Sequence, residues 1–176
     1  GIVGMGNIGA AIARRGRLGF NMSVIYSGNS RKTALEQELG AQMRSLEQLL
    51  GEADFVCIVV PLSDATRQLI GARELKLMKP SAFLINIARG PVVDEAALIQ
   101  ALQDGTIRGA GLDVYEKEPL TDSPLFSLPN ALTLPHIGSA TAETREAMAN
   151  RAIDNLRAAL LGERPRDLVN PQVWKG

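Results

Sequence analysis

A parallel, doubly wound α/β sheet of the Rossmann type, with helices on both faces, is the fold this sequence predicts. Three observations carry the expectation. Short apolar runs alternate with helical segments, the pattern of parallel strands joined by crossover helices. The run over residues 55–60, Phe-Val-Cys-Ile-Val-Val, is apolar throughout and stopped by Pro61, as suits a strand buried on both faces. Gly4-Met5-Gly6-Asn7-Ile8-Gly9 falls between a strand end and a helix start, the context in which a G-x-G-x-x-G turn carries meaning.

The elements follow in order. Ile2 and Val3 end a first strand, and residues 10–19 have helical composition. Residues 22–26 read as a second strand. Two short helices follow, over 33–39, closed by Gly40, and over 45–50, with Ser45 as N-cap. After the strand at 55–60 come a helix over 64–70 and a buried strand over 82–87. Asp94 caps a helix over 95–103 that ends at Gly105. Strands over 109–114 and 131–134 precede a long helix over 141–161, ended by Gly162. Residues 1–162 are therefore expected to form one dinucleotide-binding domain, and residues 163–176, with Pro165 and Pro171, a departing linker and the start of a return to another domain. The chain opens inside a strand and without Met, so the expectation is a domain that has lost its N-terminal part.

Composition narrows the function classes. The 176 residues are 45% apolar, enough for a core of ordinary size, and their formal net charge is zero. A neutral chain does not predict a nucleic-acid or anionic-membrane surface. The longest apolar stretch, 55–62, is far short of the ~20 residues that span a bilayer. The single cysteine, Cys57, lies inside it and reads as a small buried hydrophobe, consistent with a reducing cytoplasm. One histidine and one buried cysteine predict no metal site.

The glycine turn predicts a dinucleotide. Gly4 permits the tight turn, Gly6 the approach of a pyrophosphate and Gly9 the packing of helix on strand, while the helix N-terminus presents free N–H groups. An NAD site is expected to carry an acid after the second strand, for the ribose 2′-hydroxyl. Here that strand runs into Ser27-Gly28-Asn29-Ser30-Arg31-Lys32, with hydroxyls and two cations and no carboxylate. NADP(H) is therefore favoured over NAD(H), with Ser27, Ser30, Arg31 and Lys32 at the 2′-phosphate. The plainer alternative is that Arg31 and Lys32 are the solvated start of a helix.

In open α/β sheets ligands bind beyond the carboxyl ends of the strands, and Pro61, Arg89, Asp113 and His136 all follow strand ends. Arg89 can grip a carboxylate with two parallel hydrogen bonds. His136 is the only histidine, and its ordinary pKa of ~6.5 suits it to give and take a proton near neutrality. A carboxylate beside it would raise that pKa and fix the ring, but spacing alone does not choose Glu118 over Glu116. An arginine for a carboxylate, an acid/base histidine, its partner acid and a hydride-donor site are the parts needed to reduce a 2-keto acid.

These segments resemble the NAD(P)-binding domain of the D-isomer-specific 2-hydroxyacid dehydrogenases. The resemblance rests on Gly4 to Gly9, residues 55–63, Asn86-Ile87-Ala88-Arg89-Gly90-Pro91, Gly111-Leu112-Asp113-Val114-Tyr115-Glu116-Lys117-Glu118-Pro119 and Pro135-His136-Ile137-Gly138-Ser139-Ala140-Thr141, in family order through nearly the whole chain. The 27–32 loop and the histidine segment look most like the glyoxylate/hydroxypyruvate and 2-ketogluconate reductases, typically NADPH-preferring. The resemblance implies that Arg89 binds the substrate carboxylate, that His136 is the acid/base and that Glu118 is its partner. It places Asp113 near the nicotinamide amide and the backbone of Asn7 and Ile8 at the pyrophosphate. Val60, Pro61, Ile87, Ala88, Arg89, His136 and Gly138 join the cofactor contacts. Many relatives carry Arg at the position of Asn7, and some NADP-dependent ones carry Arg at that of Asn29, so Arg31 is expected to carry more of the 2′-phosphate recognition. The resemblance also implies a substrate domain from outside this segment, a homodimer formed through this domain, and little turnover by the segment alone.

The expected function is thus NADPH-dependent reduction of a small 2-keto acid (glyoxylate, hydroxypyruvate or 2-ketogluconate) to the D-2-hydroxy acid. Two alternatives stand beside it. One is a non-catalytic dinucleotide-sensing module of the same fold family, which would not need Arg89, Glu118 and His136 together. The other is a 3-hydroxyacid dehydrogenase using a lysine, for which Lys76 and Lys79 lie in no suitable motif.

Overall fold

In a computed structural model, which describes residues 1–174, the described residues form two compact units, 1–136 and 137–174. The expected domain boundary at 162 falls inside the second unit, just beyond its long helix.

The first unit is built on one sheet of seven parallel strands in the order β3-β2-β1-β4-β5-β6-β7. These are β1 (Ile2–Val3), β2 (Ile25–Ser27), β3 (Gln42–Met43), β4 (Phe55–Ile58), β5 (Phe83–Asn86), β6 (Gly109–Leu112) and β7 (Ala131–Thr133). The direction of winding reverses between β1 and β4, whose register pairs Ile2 with Cys57 and Val3 with Ile58. Ile2 and Val3 point to opposite faces, as neighbours on a strand must, and enter different cores. Ile2 packs with Ala13 of α1 (Asn7–Arg14) and with Leu35 and Leu39 of α2 (Thr33–Leu39). Val3 packs with Leu49 and Leu50 of α3 (Leu46–Glu52), Leu75 of α4 (Ala72–Leu77) and Leu98 and Leu102 of α5 (Glu95–Gln103). Helices thus cover both faces, as a doubly wound sheet requires.

Two caps lie where the sequence places them. Ser45 Oγ accepts from Gln48 N–H while the Gln48 side chain accepts from Ser45 N–H, and Asp94 accepts from Ala97 N–H. Other expectations need correction. The helix expected over 10–19 starts at Asn7, and its last turn, Arg15–Gly19, is π-helical. The second strand begins at Ile25, not at residue 22. Residues 64–70 are not a helix. Thr66 Oγ1 donates to Pro61 O and accepts from Ser63 N–H, and Gln68 N–H and Ile70 N–H are taken by Pro91 O and Val92 O. Those bonds hold the segment as turns beside the 90–92 loop, and the helix forms later, as α4. β4 ends at Ile58, with Val56 and Ile58 fully buried but Phe55 exposed and Cys57 half-buried, so it is not covered on both faces as expected. Burial pushes the Cys57 thiol pKa up, so it is no ready nucleophile.

The second unit is dominated by α6 (Ala142–Leu160), capped by Thr141 Oγ1, which accepts from Thr144 N–H. Its apolar residues Met148, Ile153, Leu156 and Leu160 are all exposed. Asp167, in the segment after Gly162, bonds back to α6. Asp167 takes both Arg151 Nε and Arg151 Nη2, accepts from Asn155 Nδ2 at 2.8 Å, and its N–H donates to Asn155 Oδ1 at 3.0 Å. The Arg151 guanidinium and the Asn155 amide hold the Asp167 carboxyl down at about 2.

Candidate active site

All seven strands are parallel, so their carboxyl ends share one edge, and the loops there carry nearly all the expected site residues. Two clefts run along this edge. One, of about 520 Å³, is lined by Gly4, Met5, Gly6, Ser27, Ser30 and Lys32 among others. The second, of about 500 Å³, is lined by Ile8, Leu62, Ile87, Ala88 and Arg89. Val59, Val60 and Pro61 line both, so the clefts meet in one trough at the reversal between β1 and β4.

The first turn is built for a close ligand. Gly4 has φ +102, and a Cβ on it would lie 2.8 Å from Val60 Cγ1; a Cβ on Gly9 would lie 2.4 Å from Gly4 O. Strand, turn and helix are therefore in backbone contact, while nothing stands within 4 Å of a Cβ built on Gly6. Helix α1 has no side-chain cap and no acid in its first turn, which leaves its first N–H groups open toward the trough. That arrangement fits a pyrophosphate.

The loop from Ser27 to Lys32 borders the same cleft, but its cations differ in placement. Lys32 lines the cleft. Arg31 does not: its Nε donates to both Glu36 oxygens, at 3.1 and 2.8 Å. Glu36 also accepts from Tyr26 Oη at 2.9 Å.

Arg89 follows β5 and is exposed. Its loop is shaped by Asn86, which is buried. Asn86 Oδ1 accepts from Ala88 N–H at 3.1 Å, and Asn86 Nδ2 donates to Arg89 O at 3.2 Å. Next to it Gly90 lies against the chain after β6: a Cβ there would stand 1.8 Å from both C and O of Tyr115. Only glycine permits this approach, which fixes the arginine loop against the acid loop.

His136 Nδ1 and Glu118 Oε2 are 2.7 Å apart. An ionised carboxylate only accepts, so the contact is a donation from Nδ1–H, and it leaves Nε2 outside the pair. Glu118 is itself aimed by Tyr115 N–H, which donates to its other oxygen at 3.0 Å. Burial pushes the Glu118 carboxyl up, but His136, the Tyr115 N–H and the nearby charge of Arg89 outweigh it and hold it below the ordinary carboxylate range. The arginine thus acts electrostatically on the same acid that orients the histidine. His136 has φ +53, a left-handed backbone uncommon outside glycine and concentrated at functional sites.

Glu116, the alternative that spacing leaves open, is engaged elsewhere. It accepts from Glu95 N–H, and Glu116 N–H donates to Glu95 in return, at 3.2 and 3.1 Å. Asp113 is buried after β6, with its N–H on Asn86 O. Gly138 belongs to the second unit. Tyr115 is a residue that sequence reasoning did not single out for the site. Its hydroxyl lies at hydrogen-bond distance from Leu112 O (3.2 Å) and Leu134 O (2.8 Å), tying the ends of β6 and β7 just before His136. A lone tyrosine between Val114 and Glu116 carries no sequence signal of that role.

Residues 1–138 match the family described as D-isomer specific 2-hydroxyacid dehydrogenase, NAD binding domain. The chain belongs to that family. Among D-2-hydroxyacid dehydrogenases, it is 57% identical over 176 residues to a glyoxylate/hydroxypyruvate reductase B of Pectobacterium carotovorum, covering 99% of this chain and 55% of the relative. It is 54% identical to the protein of that name from Escherichia fergusonii, again over 99% of this chain and 54% of the relative. The chain therefore spans about half the length of the curated relatives it matches. Among solved structures, a Thermus thermophilus protein superposes with a TM-score of 0.88 at 47% identity, covering 96% of this chain and 52% of the other. An NADPH-dependent glyoxylate/hydroxypyruvate reductase from Sinorhizobium meliloti, in complex with NADP and malonate, gives 0.83 at 41% identity, covering 90% and 49%.

Proposed function

We propose that this chain is the cofactor-binding and catalytic-residue domain of an NADPH-dependent reductase that converts a small 2-keto acid to the D-2-hydroxy acid, with glyoxylate, hydroxypyruvate and 2-ketogluconate as the candidate substrates. The observation that carries the reading is the His136–Glu118 pair, held at a left-handed backbone position within the electrostatic reach of Arg89. The relatives' names and the NADP-bound neighbour support it.

The trough suits a dinucleotide. Gly4, Gly6, Asn7, Ile8 and Gly9 would receive the pyrophosphate, Ser27, Ser30, Arg31 and Lys32 the 2′-phosphorylated ribose, and Val60, Pro61, Ile87, Ala88 and Asp113 the remainder. The bound nicotinamide supplies a hydride. Arg89 would grip the substrate carboxylate through its guanidinium and draw charge from the carbonyl. His136, protonated, would donate from Nε2 to the carbonyl oxygen as it becomes alkoxide, and in the reverse direction would take that proton back. Glu118 would hold the imidazolium in place through Nδ1. We assign the first 162 residues to the cofactor domain, and propose that the enzyme works in the cytoplasm as a homodimer. Among the described residues no helix is long and apolar enough to cross a membrane.

The test is loss of NADPH absorbance with each of the three keto acids, NADH being the control. Turnover that favours NADPH and falls about 10²- to 10⁴-fold in His136→Ala is the expected result. Cofactor bound with no turnover on any of them would instead favour the dinucleotide-sensing module.

A further inference from the structure

We infer that Glu36, one turn inside α2, is a positioning residue for cofactor choice, holding Arg31 by Nε beside the loop that lines the trough and leaving its terminal nitrogens for the 2′-phosphate. The inference deepens the NADPH reading and rests on it.

The geometry is specific. Arg31 uses only Nε on Glu36, reaching both carboxylate oxygens, so Nη1 and Nη2 are left out of the pair. The guanidinium is largely exposed while the carboxylate is largely buried, 73% against 14% side-chain exposure, so the acid is the fixed member and the arginine the presented one. Glu36 is fixed in turn by the core. Tyr26, fully buried on β2, donates from Oη to Glu36 at 2.9 Å and accepts from Lys32 N–H at 2.7 Å. One phenol thus anchors the acid and pins the end of the loop whose residues Ser27, Ser30 and Lys32 line the cleft. An arginine free in water would lose side-chain entropy on meeting a phosphate; held at Nε, it has already lost most of it. A guanidinium with both Nη groups open is shaped for two parallel bonds to phosphate oxygens. The opposite role, an acid that occupies Arg31 and weakens phosphate binding, would better fit a pair made through the Nη fork.

The experiment measures the affinity of the protein for NADPH and for NADH, with thermal unfolding alongside, in wild type and in Glu36→Gln, Glu36→Asp, Tyr26→Phe, Arg31→Ala and the Arg31→Ala/Glu36→Gln double variant. Glu36→Gln is expected to weaken NADPH about tenfold more than NADH. Glu36→Asp should recover part of that selectivity, and the double variant should be no worse than Arg31→Ala alone, because both changes remove one interaction. Equal losses for the two cofactors, matched by lower thermal stability across Glu36→Gln, Glu36→Asp and Tyr26→Phe, mark a merely structural role and overturn the inference. So does tighter NADPH binding in Glu36→Gln. If wild type prefers NADPH and Arg31→Ala loses that preference while Glu36→Gln keeps it, the cofactor reading stands and the positioning role falls. If wild type shows no preference for NADPH, both fall.

Discussion

Replacing Gly90 by alanine probes the joint on which the candidate site depends. A Cβ at Gly90 would stand 1.8 Å from Tyr115 C and O and 2.3 Å from Glu116 N, all backbone atoms with no rotamer to escape into. To restore ordinary contact near 3.4 Å, one loop must move by roughly 1.5 Å relative to the other. Overpacking of this kind costs about 1–3 kcal/mol, and a backbone-against-backbone overlap belongs at the upper end. For a unit of this size that corresponds to a fall in Tm on the order of 10 °C. The same movement shifts Arg89 against Glu118 and His136, and a displacement of about 1 Å at a catalytic group is worth on the order of a hundredfold in rate. The assay is thermal or urea unfolding together with kcat, against Gly111→Ala as control. Gly111 is a glycine in β6 whose Cβ would meet only Ile85 Cγ1, at 3.8 Å. A Gly90→Ala protein as stable and as active as the Gly111→Ala control would refute the argument that this contact sets the site.

The remaining predictions probe other links. Gly6→Ala should leave stability within about 0.5 kcal/mol, because its φ of −86° suits alanine and the space around it is open, yet weaken dinucleotide binding at least tenfold; paired denaturation and cofactor titration check this. Tyr115→Phe should cost about 1–3 kcal/mol by stripping the buried hydroxyl from the carbonyls of Leu112 and Leu134, and should lower kcat through His136. The ion pair of Asp167 has a sign to check. Its folded pKa, about 2, lies below the ordinary 3.8, so its contribution is complete above that ordinary value and is lost as pH falls toward 2. Asn155 side-chain amide shifts, followed by NMR through acid titration, should move in that window and stay flat in Asp167→Asn.

Much of this architecture was legible in the sequence, for reasons that differ by element. β4, β5 and β6 announce themselves because a strand inside a parallel sheet is apolar enough to be read without its neighbours. β3 does not: Gln42 and Met43 sit at the sheet edge, with only two residues to pair. The 64–70 segment looks helical by composition, but two of its N–H groups, those of Gln68 and Ile70, go to Pro91 and Val92, more than twenty residues away, which no local pattern can encode. In the candidate site, strand-end position was enough to nominate Arg89 and His136. The choice of Glu118 over Glu116 needed the family resemblance. Geometry supports that choice directly, through the 2.7 Å contact of Glu118 with His136 Nδ1, and indirectly through Glu95, whose N–H engages Glu116. The direction of Arg31 was equally hidden, because a pair with Glu36 at a separation of five residues crosses from a loop into a helix.

The stretch from Val59 to Pro61 walls both clefts, and Val60 also rests against the position where Gly4 has no side chain. A single aliphatic side chain thus forms a party wall between the two halves of the trough and the floor of the glycine turn. Trimming it would enlarge both rooms at once, so the fit at one end of the trough cannot be tuned there without retuning the other.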